Sequence, residues 1–409
     1  MPATLEQDLA ERLPEIQEAF AAVLDTFCGA DAGIGEICDR LGLHRKLAWQ
    51  IRGVAQATDP SRTVRMMPSR AGIESLIEAI AGRPGAEPLV ERVRLAAASF
   101  EQMVSRHAQD RSWLEMLAEA TAGDDGAEER WREQAFRGNS FIWGVHVRTL
   151  LSVVIINKSA TRPGWIDMAL VRGLIDLTRV RPNVRWQVSQ SVIIDEESGS
   201  RPRVRVPLDP EGAAAAGGVP VLRDLCSSPM PRLRRTIAEG ADGVVQDELL
   251  EAPVGQTGQQ TIYTGELIRE LGAAHATADN ASAYFGGGVR TPARVLIYDH
   301  FVHRDLFPGV ERELCVFSEL HSPMTRSPSD RLPVSERLQR LGPGLTRSRC
   351  PDLPGHPKVL ASIFQRLGWT PDEFDHFRVR MAYPPLPTSV MIRHDLPRPG
   401  PDPAPQTTR

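Results

Sequence analysis

A chain of 409 residues is longer than one hydrophobic core usually supports, so two or three domains are expected. With 41% hydrophobic and 24% charged residues it is too apolar to be disordered throughout. A formal net charge of −4 excludes a polycation, so any affinity for nucleic acid must come from a local basic surface. Lysine occurs only at Lys46, Lys158 and Lys358 among 48 basic residues. The arginine bias runs along the whole chain beside abundant Ala, Gly and Pro, which points to a GC-rich coding sequence before it points to a function. Five cysteines (Cys28, Cys38, Cys226, Cys315, Cys350) form no C-x-x-C pair, which argues against a zinc ribbon or a disulfide framework and suits a reducing compartment. The first residues carry Glu6, Asp8, Glu11 and Glu15 in place of the basic-then-apolar order of a signal peptide. The longest apolar stretch, Leu150–Ile156, is too short for a membrane span. A cytoplasmic protein without membrane contact is expected.

In chain order, Leu5, Leu9, Leu13, Ile16, Phe20, Val23 and Leu24 recur at three- and four-residue steps and predict an amphipathic helix over 3–27. Shorter helices follow at 34–42 and 45–57, the second stopped by Asp59-Pro60-Ser61. A loop with Arg62, Arg65 and Arg70 leads to a helix at 72–81. One long helix is then expected over 86–122. Its seam of Leu89, Val93, Ala96, Phe100, Met103, His107, Asp110, Leu114 and Leu117 alternates steps of four and three, the spacing of a coiled coil. Such a seam would serve a homodimer, with His107 and Asp110 as a polar layer, or pack on its own chain.

Gly123-Asp124-Asp125-Gly126 marks a domain boundary. Beyond a short helix at 127–137, β-branched runs predict strands at 146–157, 168–178, 184–194 and 203–207. Glu211–Gly218 reads as a flexible loop. Helical patterns at 230–240 and 264–275 alternate with strands at 293–303 and 312–319, then a helix at 356–367 and strands at 377–383 and 388–394. Helices and strands without regular βαβ alternation give an α+β class. The expected division is 1–70, 71–125 as a helical connector, 126–396 as an α+β domain, and 397–409 as a proline-rich disordered tail.

One motif carries a mechanism. In Ile34–Gly53, Ile37 and Leu41 share a helix face, Gly42 suits a left-handed helix end, Leu43 points inward, and Ala48 and Ile51 form the inner face of a second helix. The segment resembles the helix-turn-helix of bacterial transcriptional regulators. The resemblance covers about twenty residues. It implies that the outward face of the second helix enters the major groove of double-stranded DNA. The positions matching that face are His44, Arg45, Lys46, Trp49, Gln50 and Arg52. Seven basic residues against three acids over residues 34–70 provide the local positive charge that phosphate contacts need. Leu47 and Trp49 depart from the pattern, being large and apolar where polar contacts are common.

Other constellations lack support. Asp299-His300-x-x-His303-x-Asp305, with Glu319 and His321 nearby, invites a metal, but on a strand the odd separation sends the two imidazoles to opposite faces. His303-Arg304-Asp305-Leu306 lacks the downstream asparagine of a kinase catalytic loop. Phe285-Gly-Gly-Gly288 lacks the spacing of a nucleotide loop and reads as a flexible turn. Cys315 in an apolar strand reads as an inert thiol. Tyr383–Pro387 reads as a rigid loop between strands. No cofactor is indicated. The reading is a non-enzymatic DNA-binding regulator: an N-terminal helix-turn-helix, a helical connector, and an α+β domain that senses an unknown small-molecule effector or mediates oligomerisation. The alternatives are an assembly protein that uses the helix pair only for packing, and an enzyme built around His300, His303, Asp305 and His321.

Overall fold

The computed structural model of the chain describes residues 3–122, 125–192, 204–237, 244–278, 280–321 and 327–398. The protein is α+β, and its contacts divide it into two compact units, Met1–Glu128 and Glu129–Arg409. Residues 193–194 and 203 of the expected strands, and the expected tail from 399 onward, lie outside the described residues. No described helix is long and apolar enough to cross a membrane.

The first unit is helical: α1 (Leu5–Phe27), α2 (Ile34–Leu41), α3 (Arg45–Ala55), α4 (Pro60–Met66), α5 (Arg70–Ile80), α6 (Glu87–His107) and α7 (Arg111–Ala122). Thr4 and Gln7 form a reciprocal capping box at the start of α1, satisfying two amides that the helix leaves open. Asp59-Pro60-Ser61 begins a helix as well as ending one. The Asp59 carboxylate accepts from the Arg62 amide at 2.7 Å, and Pro60 takes the first helical position, so α4 stands where a loop is expected from the sequence.

The helix expected over 86–122 is two helices. Ala108 is extended, and Asp110 caps α7 by accepting from the Trp113 amide at 3.0 Å. Capping is a better use of an aspartate than a helix interior, and the pattern alone hides that choice. Leu89, Val93, Ala96, Phe100 and Met103 are buried in one core with Leu13, Ile16 and Phe20 of α1. The seam is therefore covered by its own chain, and the segment expected as a connector shares the core of the first unit. His107 and Asp110 do not form a polar layer between copies. His107 instead meets Asp8 of α1 at 2.7 Å, where Asp8 also accepts from Arg12 at 2.9 Å and Arg106 at 2.8 Å.

The second unit begins along α8 (Asp125–Trp143), which runs beyond the helix expected at 127–137. The strands follow as β1 (Val145–Lys158), β2 (Trp165–Arg179), β3 (Trp186–Val192) and β4 (Arg205–Pro207). After α9 (Pro210–Ala215) come β5 (Leu233–Ile237), β6 (Val244–Leu249), β7 (Gln260–Ala273), β8 (Ser282–Val289), β9 (Ala293–His303), β10 (Glu313–Ser318) and β11 (Gln339–Pro343). The unit closes with α10 (His356–Leu367), β12 (Phe374–Ala382) and β13 (Thr388–Asp395). A seven-stranded sheet runs β11-β12-β9-β1-β2-β7-β4, with β1 parallel to β9 and antiparallel to β2; two three-stranded sheets run β10-β13-β8 and β3-β6-β5.

Both faces of the large sheet are covered. Leu150, Val154 and Ile156 of β1 share a core with Phe285, Val316, Val390 and Ile392 from the β10-β13-β8 sheet. Leu151, Val153 and Ile155 share the opposite core with Leu360, Ile363 and Phe364 of α10. Two buried faces explain why Leu150–Ile156 reads as an almost unbroken apolar run.

Several expectations for this unit are corrected. The helices expected at 230–240 and 264–275 are replaced by strands β5 and β7, with residues 238–240 outside the described residues, and 211–218 holds the end of the short helix α9, capped by Asp209. In β7, Glu266 pairs with Arg205 of β4 and Arg269 with Asp167 of β2, so charges sit where strand alternation would otherwise show. Phe285–Gly288, expected as a turn, lies within strand β8.

Asp8 makes a testable ledge in the first unit. The hydrogen bond from His107 foremost, then Arg12 and Arg106, holds its pKa down to about 2 against the effect of burial. The stabilisation is complete above the ~3.9 of an unfolded aspartate and is lost as pH falls through the folded value. The stability gap between wild type and Asp8→Asn should therefore narrow from about pH 4 to pH 2 in urea titrations; a gap constant over that range would contradict the assignment.

Candidate functional site

Helices α2 and α3 of the first unit are joined at Gly42. Gly42 adopts φ 67°, a left-handed conformation that side chains with a Cβ avoid. This turns the chain between α2 and α3, and Leu43 is buried in the angle. Ile37 and Leu41 of α2 and Ala48, Ile51 and Val54 of α3 lie in the unit's core. Leu47, half-buried, packs beside Gly72, with its Cδ1 3.1 Å from where a Cβ would stand, so α5 lies alongside the first turns of α3. Leu47 thus has a packing partner in α5.

The opposite side of α3 carries the expected residues. His44 is exposed, and its Nδ1 accepts from the Lys46 amide at 3.3 Å, so this side chain caps the helix. Arg45 and Lys46 are exposed, Trp49 is 51% exposed, and Gln50 and Arg52 are half-buried. Arg45, Trp49 and Arg52 fall at steps of four and three and share one stripe. Among the described residues, the side chains of Arg45, Lys46 and Gln50 make no hydrogen bond or ion pair, and the buried Arg52 Nε has no partner. The fold brings all six to one helix with its inner face sealed.

His300, His303 and His321, the histidines suspected of forming a site in the second unit, do not converge. His300 is buried with both ring nitrogens unpartnered, stacked against Phe285 at 5.6 Å. Burial first, then the Arg312 charge, pushes its pKa well below the ordinary value, so the ring is neutral. His303 lies on the other face of β9, edge-on to Phe374. Asp305 pairs with Lys158 at 2.6 Å, and His321 is exposed. Among the described residues, no group of His, Cys, Asp and Glu is spaced to hold a metal ion.

Asp299 is a different case. Its carboxylate is fully buried and accepts from His356 at the start of α10, from His376 at 2.7 Å, and from Arg378 at 2.7 and 3.1 Å. Arg378 also donates to the Ser348 and Arg349 carbonyls at 3.0 and 2.9 Å. Burial alone would raise Asp299; the hydrogen bonds from His356, His376 and Arg378 outweigh it and hold the group ionised. With both oxygens occupied and no exposure, this is a knot joining β9, β12, α10 and the loop before it.

Sequence reasoning did not single out Arg172, in the middle of β2. Register places it opposite Ser152 of β1 and Thr264 of β7, a polar row across three neighbouring strands. Arg172 and Thr264 line a cavity of about 500 Å³ and a smaller recess beside it, and Arg172 and Ser152 line another. The available signal was a lone arginine between Val171 and Gly173 in a strand otherwise rich in apolar residues.

Searches against protein-family models, curated proteins and solved structures found no match for this chain.

The knot predicts a stability effect. Asp299→Asn leaves the Arg378 charge buried without its counter-ion and should cost about 3–5 kcal/mol, the usual consequence of removing one member of a buried pair. Chemical denaturation of the full chain measures it; a loss under about 1 kcal/mol would show that the knot is dispensable.

Proposed function

We propose that this protein is a DNA-binding transcriptional regulator in which α2, Gly42 and α3 form a helix-turn-helix and α3 enters the major groove. One observation carries the reading: the inner side of α3 is sealed in a core while Arg45, Lys46 and Trp49 stand exposed, the two cations without a partner among the described residues. A cation left unpaired on a rigid helix is free to meet a phosphate, and Arg45 and Lys46 add that charge at the positive end of the helix dipole. Gln50 on the same helix is chemically suited to adenine and Arg45 to guanine. Arg70, exposed at the start of α5 beside α3, extends the basic surface. The packing-only alternative requires Trp49 to be covered, and its exposure favours the regulator. The second unit then carries the sensing or assembly role. Two copies on one operator would use a surface other than the buried seam of α6.

Gel-shift titration of the full chain against genomic fragments at several salt concentrations tests this. Replacing both Arg45 and Lys46 by alanine should weaken binding tenfold or more and reduce the slope of log K against log salt by about 2, roughly one for each lost phosphate contact. Binding and slope unchanged in the double variant would remove α3 from the interface.

A further inference from the structure

Arg172 is half-buried at the base of the 500 Å³ cavity, facing the inner side of β8. Gly287 lies above it: a Cβ there would stand 3.5 Å from the Arg172 Nη2 and 3.7 Å from the Ser152 Oγ. Ser152 Oγ is itself buried without a partner, and among the described residues neither Arg172 nor the Thr264 hydroxyl makes a hydrogen bond or ion pair. The neighbouring charges are already matched: Arg205 with Glu266, Arg235 with Asp247, and Arg290 with Glu319. One positive charge is left over. Burial first, and then Arg290, depresses the Arg172 pKa, the mark of a cation held where its charge costs energy.

Two residues along the same strands, roughly 6.7 Å away, the next row is Leu150, Leu174 and Ile262. The Trp186 indole, held by its Nε1–H donating to Thr291 Oγ1 at 2.9 Å, forms another wall. A polar head site and an apolar body site therefore lie side by side in a cavity of the size that small ligands use.

We infer that this cavity binds a small molecule bearing a single carboxylate on an apolar body, with Arg172 receiving the carboxylate and Trp186 and the leucine–isoleucine row receiving the body. A guanidinium fork matches a carboxylate in two parallel hydrogen bonds. The single uncompensated charge selects a monoanion; a phosphate dianion would need a second free cation, and the adjacent arginines are committed to their own carboxylates. The inference concerns the second unit alone and does not rest on the reading of α3.

Calorimetry and thermal unfolding of the full chain with benzoate, hexanoate, benzamide and inorganic phosphate test it. Benzoate or hexanoate should bind saturably, raise the melting temperature, and bind at least tenfold more tightly than benzamide. Arg172→Met should melt at or above the wild-type temperature in plain buffer and lose the carboxylate response, while Arg172→Lys retains part of it. The Arg45→Ala, Lys46→Ala protein should respond as wild type does, which separates this site from the fate of the DNA reading. The proposal is overturned if neither carboxylate binds, if benzamide or phosphate binds as well, or if Arg172→Met melts lower or does not fold, since the arginine would then be structural.

Discussion

The second unit is governed by a sheet covered on both faces. In such a sheet an inward-facing polar side chain has little water to turn to and must find a partner or bear a cost of desolvation. Asp299 and Arg172 face this constraint from opposite sides of the same sheet. Asp299 collects His356, His376 and Arg378 and so binds α10 to β9 and β12. Arg172 collects no partner among the described residues, although carboxylates stand nearby. Glu266 and Glu319 are held by Arg205 and Arg290. Identical physics therefore separates a group that holds the fold together from a group that strains it, and strain of this kind is what a binding site stores.

The first unit shows how much a local pattern conveys. Helices α1, α2, α3 and α5 follow from three- and four-residue apolar spacing because each packs one stripe on a shared core. Gly42 is legible because a left-handed helix end has few chemical solutions. The failures there come from polar residues with two competing local uses. Asp110 fits a heptad seam and a helix cap equally well on paper, and Asp59-Pro60 ends one helix as readily as it begins the next. Long-range packing decides both: α7 and α4 contact each other, with Arg65 reaching Glu119 at 3.0 Å.

In the second unit the sequence was legible where strands are buried on both sides, as in β1, β2 and β9, and misleading at the margins. Strand β7 carries Glu266, Arg269 and Glu270, whose partners lie on β2 and β4 or in the loop before β2; without those partners the charges mimic a helix. Strand β8 carries three successive glycines, which suggest a turn until the neighbouring chain is seen. A Cβ on Gly286 would stand 2.0 Å from the Val390 carbonyl of β13, so the glycine permits close strand approach. The six residues expected at α3 are near neighbours in sequence, from the N-cap His44 to Arg52, so their grouping on one helix is legible without long-range contacts. The cavity is not, because Ser152, Arg172 and Thr264 meet only through a register that spans more than a hundred residues.

An arginine-rich composition is uninformative as a total, since the arginines are spread along the whole chain. The distinction lies in what each guanidinium touches. Arg269 on Asp167 and Arg235 on Asp247 neutralise buried carboxylates, and their charges look no further than the protein itself. Arg45 and Lys46 face solvent, where an unpaired cation costs little, and under the proposed function they would meet a polyanion. Arg172 is half-buried, where an unpaired cation costs more, and the carboxylate ligand inferred for its cavity would offset that cost. Exposure thus sets what each unpaired charge costs, little at α3 and more at the half-buried Arg172 of β2.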